Sequence, residues 1–353
     1  GVNEKGLRWR AADFVAVIVI LMAVAACYHN ATKGAFVYDD NPFVRDNRFI
    51  RSLWPPHRFF TSRYAYSPRG HFNIYRPLTP LSYALELKLH PLEPTGFHLV
   101  NILLHATCSV MVFIVFRRLF GRTLPAALPA LLFAVHPANT ESVTWIAQRS
   151  GLLSLLFFLV GFWMHQVALG RLHHRTGPLV GAVVMYAFSL FSKEMGATLP
   201  LIVLAHDFLL VGRERRLSRR TTLAYYGAYV GVALIYLTAR LLVVGGLAQQ
   251  EWHGGTLQRN LLVVLSSLGF YVRLALVPVR QSVDYAGWMP RGITSPAVVT
   301  GLLSVAILGA MAVLLYRVER RISFGIVWFV LTLIPVLNII PTVSYTHLTL
   351  PTN

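Results

Sequence analysis

Phe14-Val-Ala-Val-Ile-Val-Ile-Leu-Met-Ala-Val-Ala-Ala-Cys27 is an unbroken apolar run, and shortly after it comes Phe36-Val-Tyr38-Asp39-Asp40-Asn41-Pro42. The run lies within a stretch of about 12–31, close to the ~20 residues that a helix needs to cross the hydrocarbon core. A carboxylate at the bilayer centre costs about 2.5 kcal/mol or more, so acids held at membrane depth mark sites. A solvated loop carboxylate costs far less. The Asp39–Asp40 pair therefore gains meaning if its loop folds back against the membrane helices, and the rest of the sequence favours that.

The chain has 353 residues, 55% of them hydrophobic and 13% charged, with a mean hydropathy of +0.56. That composition belongs to a polytopic membrane protein rather than a soluble domain. A net charge of +18 could indicate nucleic acid. The basic residues instead sit in short clusters between apolar runs, so no nucleic-acid partner is expected. Cys27 and Cys108 lie within apolar runs with no neighbour at metal-ligand spacing, and read as inert core residues. With no small-residue cleavage site after it, the first apolar run reads as a retained span rather than a signal peptide.

Further spans are expected at about 97–118, 123–139, 150–169, 177–192, 196–212, 221–244, 296–316 and 322–341. Short loops bearing Arg117-Arg118, Arg171…Arg175, Arg213…Arg220 and Arg317…Arg321 are basic, whereas the intervening turns carry Glu141, Glu194, Glu251 and Asp284. The positive-inside rule assigns the first set to the cytoplasm and the second to the outside. The stretch Leu261–Val279 is polar for a lipid-facing span and is expected to be re-entrant or packed deeply within protein. The long first loop, about 32–96, is placed outside by parity, since long loops translocate largely regardless of charge. Its Trp54-Pro55-Pro56, Phe59-Phe60, Tyr64 and Tyr75 predict short interfacial helices.

Several polar motifs punctuate this frame. Asp39-Asp40-Asn41-Pro42 is good turn chemistry, or a general base or metal ligand at the outer surface. His136-Pro137…Glu141 ends one helix and starts another, where an acid favours the N-terminal dipole; His136, Glu141 and Arg149 also serve as site candidates. Lys193-Glu194 reads either as a self-neutralising pair or as a buried ammonium suited to phosphate. Arg76, in Asn73-Ile-Tyr-Arg76-Pro77-Leu78, forks well onto phosphate, or snorkels to headgroups. His206-Asp207 reads as structural, and the short basic loops as contacts for anionic lipid.

Taken in order, Tyr38-Asp39-Asp40-Asn41-Pro42, Asn47, Tyr75-Arg76-Pro77-Leu78, His136-Pro137…Thr140-Glu141…Arg149-Ser150 and Ser192-Lys193-Glu194 resemble the membrane half of the transmembrane-and-tetratricopeptide-repeat O-mannosyltransferases and their bacterial relatives. The resemblance runs over about 10–341. It implies an all-α GT-C-like bundle of about nine to eleven membrane segments, with residues 1–343 as one transmembrane glycosyltransferase domain. It also implies a sugar taken from a polyprenyl-phosphate carrier on the non-cytoplasmic side, with an acid of the first external loop at the reaction centre. Only Asp39 and Asp40 match that position. Two departures stand out. The family's C-terminal tetratricopeptide repeats do not occur in this sequence. Residues 344–353 do not continue the family pattern after Asn338-Ile-Ile-Pro341, and read as an unstructured scar.

The chemistry fits this reading. Asp39 or Asp40 would take the acceptor proton, and Arg76, Arg149 and Lys193 would meet the phosphate charge. Glu141 and Glu194 would orient those cations or touch the sugar. No cofactor is predicted, although two adjacent acids are compatible with Mg²⁺ or Mn²⁺. The expected partners are the polyprenyl-phosphate sugar, a protein or glycan acceptor and the lipid bilayer. An Arg-dominated chain with short loops reads as bacterial, with the site facing the periplasm; a eukaryotic source would put the same face in the endoplasmic reticulum lumen. The rival functions are a transporter or flippase for a lipid-linked sugar, which needs polar residues near the midplane, and a polymerase or ligase of surface polysaccharide.

Overall fold

The computed structural model describes residues 9–65, 74–170, 175–212, 214, 216–245, 252, 255–279, 290 and 292–337. Among them every regular element is a helix and no strand occurs. Asn73, Arg171, Arg213, Glu251, Asp284, the Asn338–Pro341 segment and the 344–353 tail lie outside the described residues.

Six helices among the described residues are long and apolar enough to cross a membrane: Ala11–Lys33, Pro94–Phe120, Ile146–Leu169, Arg219–Val244, Leu257–Leu276 and Pro296–Tyr316. The chain is an all-α, multi-pass integral membrane protein. Phe14, Val15, Ile18, Leu21 and Met22 of the first helix are exposed, as expected of side chains facing lipid rather than water. Thr123–Val135 and Thr176–Ser192 are shorter apolar helices. The segment expected to span 196–212 is instead a 3-10 turn, Glu194–Thr198, followed by a short helix, Leu199–Leu209.

The helices fall into two compact units. The first contains α1 (Ala11–Tyr28), α2 (Arg58–Thr61), α3 (Leu78–Glu86), α4 (Pro94–Phe120), α5 (Thr123–Val135), α6 (Thr140–Thr144), α7 (Arg149–Leu169), α8 (Thr176–Ser192), most of α9 (Leu199–Leu209) and α10 (Arg219–Val244). α7 packs along α8 and α4, α4 also along α5 and α1, and α10 along α8. Local chemistry sets the ends of α4. Pro94 stands in its first turn, where a missing N–H costs nothing. Gly121 ends it at φ 69°, a left-handed position suited to glycine.

One basic cluster departs from its sequence reading. Arg117 is buried and pairs with Asp13 through Nε (2.7 Å) and Nη2 (3.3 Å), while Thr123 donates to the same carboxylate at 2.7 Å. Arg117 therefore staples α1 to α4 and does not reach lipid headgroups.

The first loop folds as expected, as short helices packed on the bundle. A π-turn (Asn41–Arg45), a 3-10 turn (Arg48–Arg51), α2 and α3 surround a small core of Phe43, Val44, Ile50, Phe59, Tyr83 and Phe97, closed by Ile146 and Ala147. Buried Asn47 cross-links it, donating to the Phe43 and Ala65 carbonyls and accepting from Phe49 N.

The second unit holds α11 (Leu257–Leu276), α12 (Pro296–Tyr316) and α13 (Arg320–Leu333). α11 corrects the expectation for 261–279. It is one unbroken helix, and most of it is not buried. Its polar positions are absorbed locally, because Ser266 donates to the Leu262 carbonyl one turn back (2.8 Å) and Gly269 lets α12 approach. A Cβ on Gly301 would lie 2.0 Å from the Leu265 carbonyl oxygen, so this crossing is the close contact that small residues permit between membrane helices. Gly301→Ala is expected to destabilise the α11–α12 contact by about 1–3 kcal/mol. Gly309→Ala, where nothing lies within 4 Å, is expected to be neutral. Thermal melts of the two variants in detergent check the contrast.

Candidate active site

The candidate site is built around residues 145–151, where α6 gives way to a 3-10 turn and then to α7. The acid pair docks on it from one side. Asp40 is fully buried, and its carboxylate accepts from Ala147 N (2.7 Å) and Val37 N (3.1 Å), which latches the first loop to the bundle. Burial, against these amide contacts and with the Asp39 charge adding to it, pushes the Asp40 carboxyl up to about 6. Asp39 is only half-buried. Tyr38, just before the pair, has φ 42°, a left-handed conformation that costs a non-glycine residue about 1–2 kcal/mol. Its ring lies edge-on to Trp145 at 6.2 Å. Such a strained residue next to an acid pair, retained by its surroundings, is a pointer to function.

The cations gather on the other side. Thr79 of α3 reaches the Ser192 carbonyl at the end of α8 (3.3 Å), which brings Arg76 against the turn after α8. There Arg76 forks onto Glu194, with Nε–Oε2 at 3.0 Å and a second bond from Nη2 to Oε1. Burial works to raise the Glu194 carboxyl, but the Arg76 guanidinium, by charge and hydrogen bonds, holds it at about 2. Glu194 thus takes Arg76 as its partner, where the sequence offered Lys193. Burial and the Arg76 charge draw the Lys193 ammonium down to about 8, against the pull of Glu194 and Glu141. A Cβ on Gly151 would lie 3.6 Å from Lys193 Nζ, so the ammonium rests over the start of α7. Gln148 of the same segment donates to Glu141 (2.9 Å).

The structure therefore brings Arg76, Glu141, Lys193 and Glu194 together, and seats Asp40 on the segment that supports them. It treats two other candidates differently. His136 accepts from Ala138 N (3.2 Å) at its own turn. Arg149 is fully buried: its guanidinium is spent on Glu86, Asn101 Oδ1 (2.8 Å) and the Phe97 carbonyl (3.0 Å), and lies 4.6 Å over the Tyr83 ring. With its fork on Glu86, Asn101 and Phe97, Arg149 cross-links α7 to the first loop and the start of α4.

The sequence reading missed Tyr236 and Arg240 of α10. Tyr236 donates to the Tyr75 carbonyl (3.2 Å) beside Arg76, and buried Arg240 hydrogen-bonds Tyr236. The available signal was an arginine four residues after a tyrosine inside an apolar span, which is costly there unless it has a partner or a site. Trp145 Nε1 and Asn41 Oδ1 are buried and meet no hydrogen-bond partner among the described residues. Buried polar groups are ordinarily paired, so these two atoms fit a polar ligand at the acid loop. Asp40 commits both its oxygens to amides, so a divalent ion at the pair would depend on Asp39.

Residues 77–239 match the profile of the dolichyl-phosphate-mannose-protein mannosyltransferase family. Among individual relatives, the mouse (Mus musculus) "Protein O-mannosyl-transferase TMTC3" is 37% identical over 191 residues, covering 53% of this chain and 20% of the relative. The human (Homo sapiens) "Protein O-mannosyl-transferase TMTC4" is 34% identical over 225 residues, 57% of this chain and 30% of the relative. Mouse TMTC4 is 30% identical over 266 residues, 66% and 35% respectively. The resemblance to the membrane part of these proteins, read from the ordered motifs, is thereby borne out. The chain spans between a fifth and about a third of the length of these relatives. No solved structure matches.

Proposed function

We propose that the chain is a membrane glycosyltransferase that moves a hexose, mannose foremost, from a polyprenyl-phosphate donor to an acceptor hydroxyl on a protein or glycan. The reaction faces the non-cytoplasmic side: the periplasm in a bacterium, the endoplasmic reticulum lumen in a eukaryote. The observation that carries this reading is the convergence of the docked acid loop and the Arg76–Glu194–Lys193 group on the single segment 145–151. The names of the relatives, all protein O-mannosyl-transferases, support it.

Each residue then has a task. Asp39 is the general base: it takes the acceptor proton as the new C1–O bond forms and the bond from C1 to the phosphate oxygen breaks. Asp40 is a positioning residue that holds the loop in place through its two amide contacts. Arg76 and Lys193 meet the charge on the departing polyprenyl phosphate, where low dielectric makes a fixed cation worth more than in water. Glu194 holds the Arg76 fork in one plane, Glu141 sets the Lys193 ammonium, and Arg240 with Tyr236 backs the group. Fixed cations meet the leaving-group charge without a metal; Mg²⁺ or Mn²⁺ held by Asp39 is the alternative, and loss of activity in EDTA would favour it.

The test is release of polyprenyl phosphate from a panel of polyprenyl-phosphate sugars by membranes containing the chain. Release from one sugar that depends on Asp39 supports the reading. No release from any of the sugars by folded protein overturns it in favour of transport of a lipid-linked sugar. A pH profile gives a second check. Lys193 loses its proton as pH rises through about 8, so donor KM is expected to rise above that pH while kcat changes less. Lys193→Arg, which stays charged, is expected to flatten that limb.

A further inference from the structure

At the other end of α7, fourteen residues beyond Gly151 and so about 21 Å along the helix axis, lies a cluster that the proposed transfer chemistry does not use. His165 of α7 and His206 and Asp207 of α9 place one ligating atom each within 4.8 Å of one another. His165 Nε2 lies 2.8 Å from Asp207 Oδ1, and His206 Nδ1 lies 3.4 Å from the same oxygen. Both imidazoles are buried, and Asp207 is partly open. The outward atoms of two of these side chains are braced by phenols of α10. The Tyr225 hydroxyl lies 3.3 Å from His165 Nδ1, and Tyr226 donates to Asp207 Oδ2 at 3.2 Å. His165 also stacks on Tyr225 (5.8 Å, 4° between planes), and His206 sits edge-on to Phe162 at 5.3 Å.

We propose that His165, His206 and Asp207 form a site for a divalent transition metal, zinc(II) foremost, which clamps α7 and α9 together with α10 as the bracing helix. Two imidazoles and one carboxylate are a borderline donor set that suits zinc and leaves a fourth position open. Zinc–nitrogen and zinc–oxygen bonds of about 2.0–2.2 Å in a tetrahedral arrangement put ligand atoms about 3.3 Å apart. The spacings of 2.8 and 3.4 Å are already close to that. A metal takes the place of the ring N–H groups that face Asp207 Oδ1 as each imidazole moves its proton to its other ring nitrogen, with small movements of side chains. The bracing is also what a ligating set needs: metal-bound histidine characteristically uses its second nitrogen, and a metal-bound carboxylate its second oxygen, in an outer hydrogen bond. In the sequence, His206-Asp207 alone reads as structural; the third ligand and both phenols come from helices far away in the chain.

The test uses the tag-free full chain in detergent, stripped with EDTA and dialysed against zinc chloride, with bound metal measured by mass spectrometry and its ligands by X-ray absorption at the zinc edge. One zinc per chain is expected, with two imidazoles and a light-atom shell at about 2.0–2.2 Å, together with a zinc-dependent rise in Tm. Tyr226→Phe, which removes only an outer hydrogen bond, is expected to weaken binding about 10–100-fold, and His206→Asn and Asp207→Asn by more. Folded wild-type protein that takes up no stoichiometric zinc overturns the proposal, leaving the cluster as a hydrogen-bonded tie. So does zinc held equally well by His206→Asn or Asp207→Asn. If those two variants do not fold, the wild-type absorption spectrum decides alone: a shell without two imidazoles overturns the site.

Discussion

Asp39→Asn is expected to leave the protein folded and to lower sugar release by about 10²–10⁴-fold, the range that a positioned general base contributes. Asn keeps the size of the side chain and removes only its ability to take a proton. The neighbouring substitution should behave differently. Asp40 is the residue that accepts from Val37 and Ala147, so Asp40→Asn risks turning an amide donor toward Ala147 N–H and loosening the whole loop. Activity and loop protection should fall together in that variant, whereas in Asp39→Asn only activity should fall. Hydrogen exchange at Val37 and Ala147, measured beside release of polyprenyl phosphate, separates the two. If Asp40→Asn loses activity with intact protection while Asp39→Asn keeps its activity, Asp40 is the base and the assignment is reversed.

Asp40 also sets a pH dependence of the latch. Its carboxyl is raised to about 6 in the folded protein from an ordinary value of 3.8. A group whose folded value is raised contributes most at low pH, and that contribution is lost as pH rises through the folded value. Protection of the docked loop is therefore expected to decline between about pH 4 and 6, the window set by those two values. Asp40→Asn should abolish that slope.

The largest stability effect is expected at Arg149. Arg149→Leu removes a fully buried cation and strands Glu86, which is itself buried and otherwise held by His90 Nε2 (2.7 Å). Breaking a buried ion pair by deleting one partner costs about 3–5 kcal/mol, because the remaining charge stays desolvated. Asn101 and the Phe97 carbonyl lose their donors as well. Arg149→Lys keeps the charge without the fork and should fall between wild type and Leu. Thermal melts in detergent check the order. Arg76→Leu provides the contrast, since Arg76 joins the partly open Glu194, and it should cost more in donor KM than in Tm. A small Tm change for Arg149→Leu coupled with a large rise in donor KM would return Arg149 to the phosphate site.

Much of the architecture is legible in the sequence. Run length and charge placement are local properties, and they located α1, α4, α7, α8, α10 and α12 to within a few residues. The interfacial helices of the first loop were legible because aromatics and prolines favour short turns at the headgroup level. The reading failed where a segment's polarity had a private solution. Ser266 returns its hydroxyl to its own helix, so α11 runs unbroken despite its composition. The segment after Lys193 begins as a 3-10 turn, so a long apolar stretch yields only the short α9.

The candidate site divides along the same line. Sequence alone determined the class of protein and the kinds of group available: an acid pair after the first span, arginines and a lysine at helix ends, and their order along the chain. Tertiary structure decided which of them meet. Arg76 reaches Glu194 across 118 residues, Asp40 reaches Ala147 across 107, and Arg149 reaches Glu86 across 63. No local pattern encodes such pairings, because a charged side chain in a low-dielectric bundle takes whichever partner packing delivers. Packing therefore turned Arg149 into a cross-link, seated Asp40 against the Val37 and Ala147 amides, and assembled His165 with His206 and Asp207.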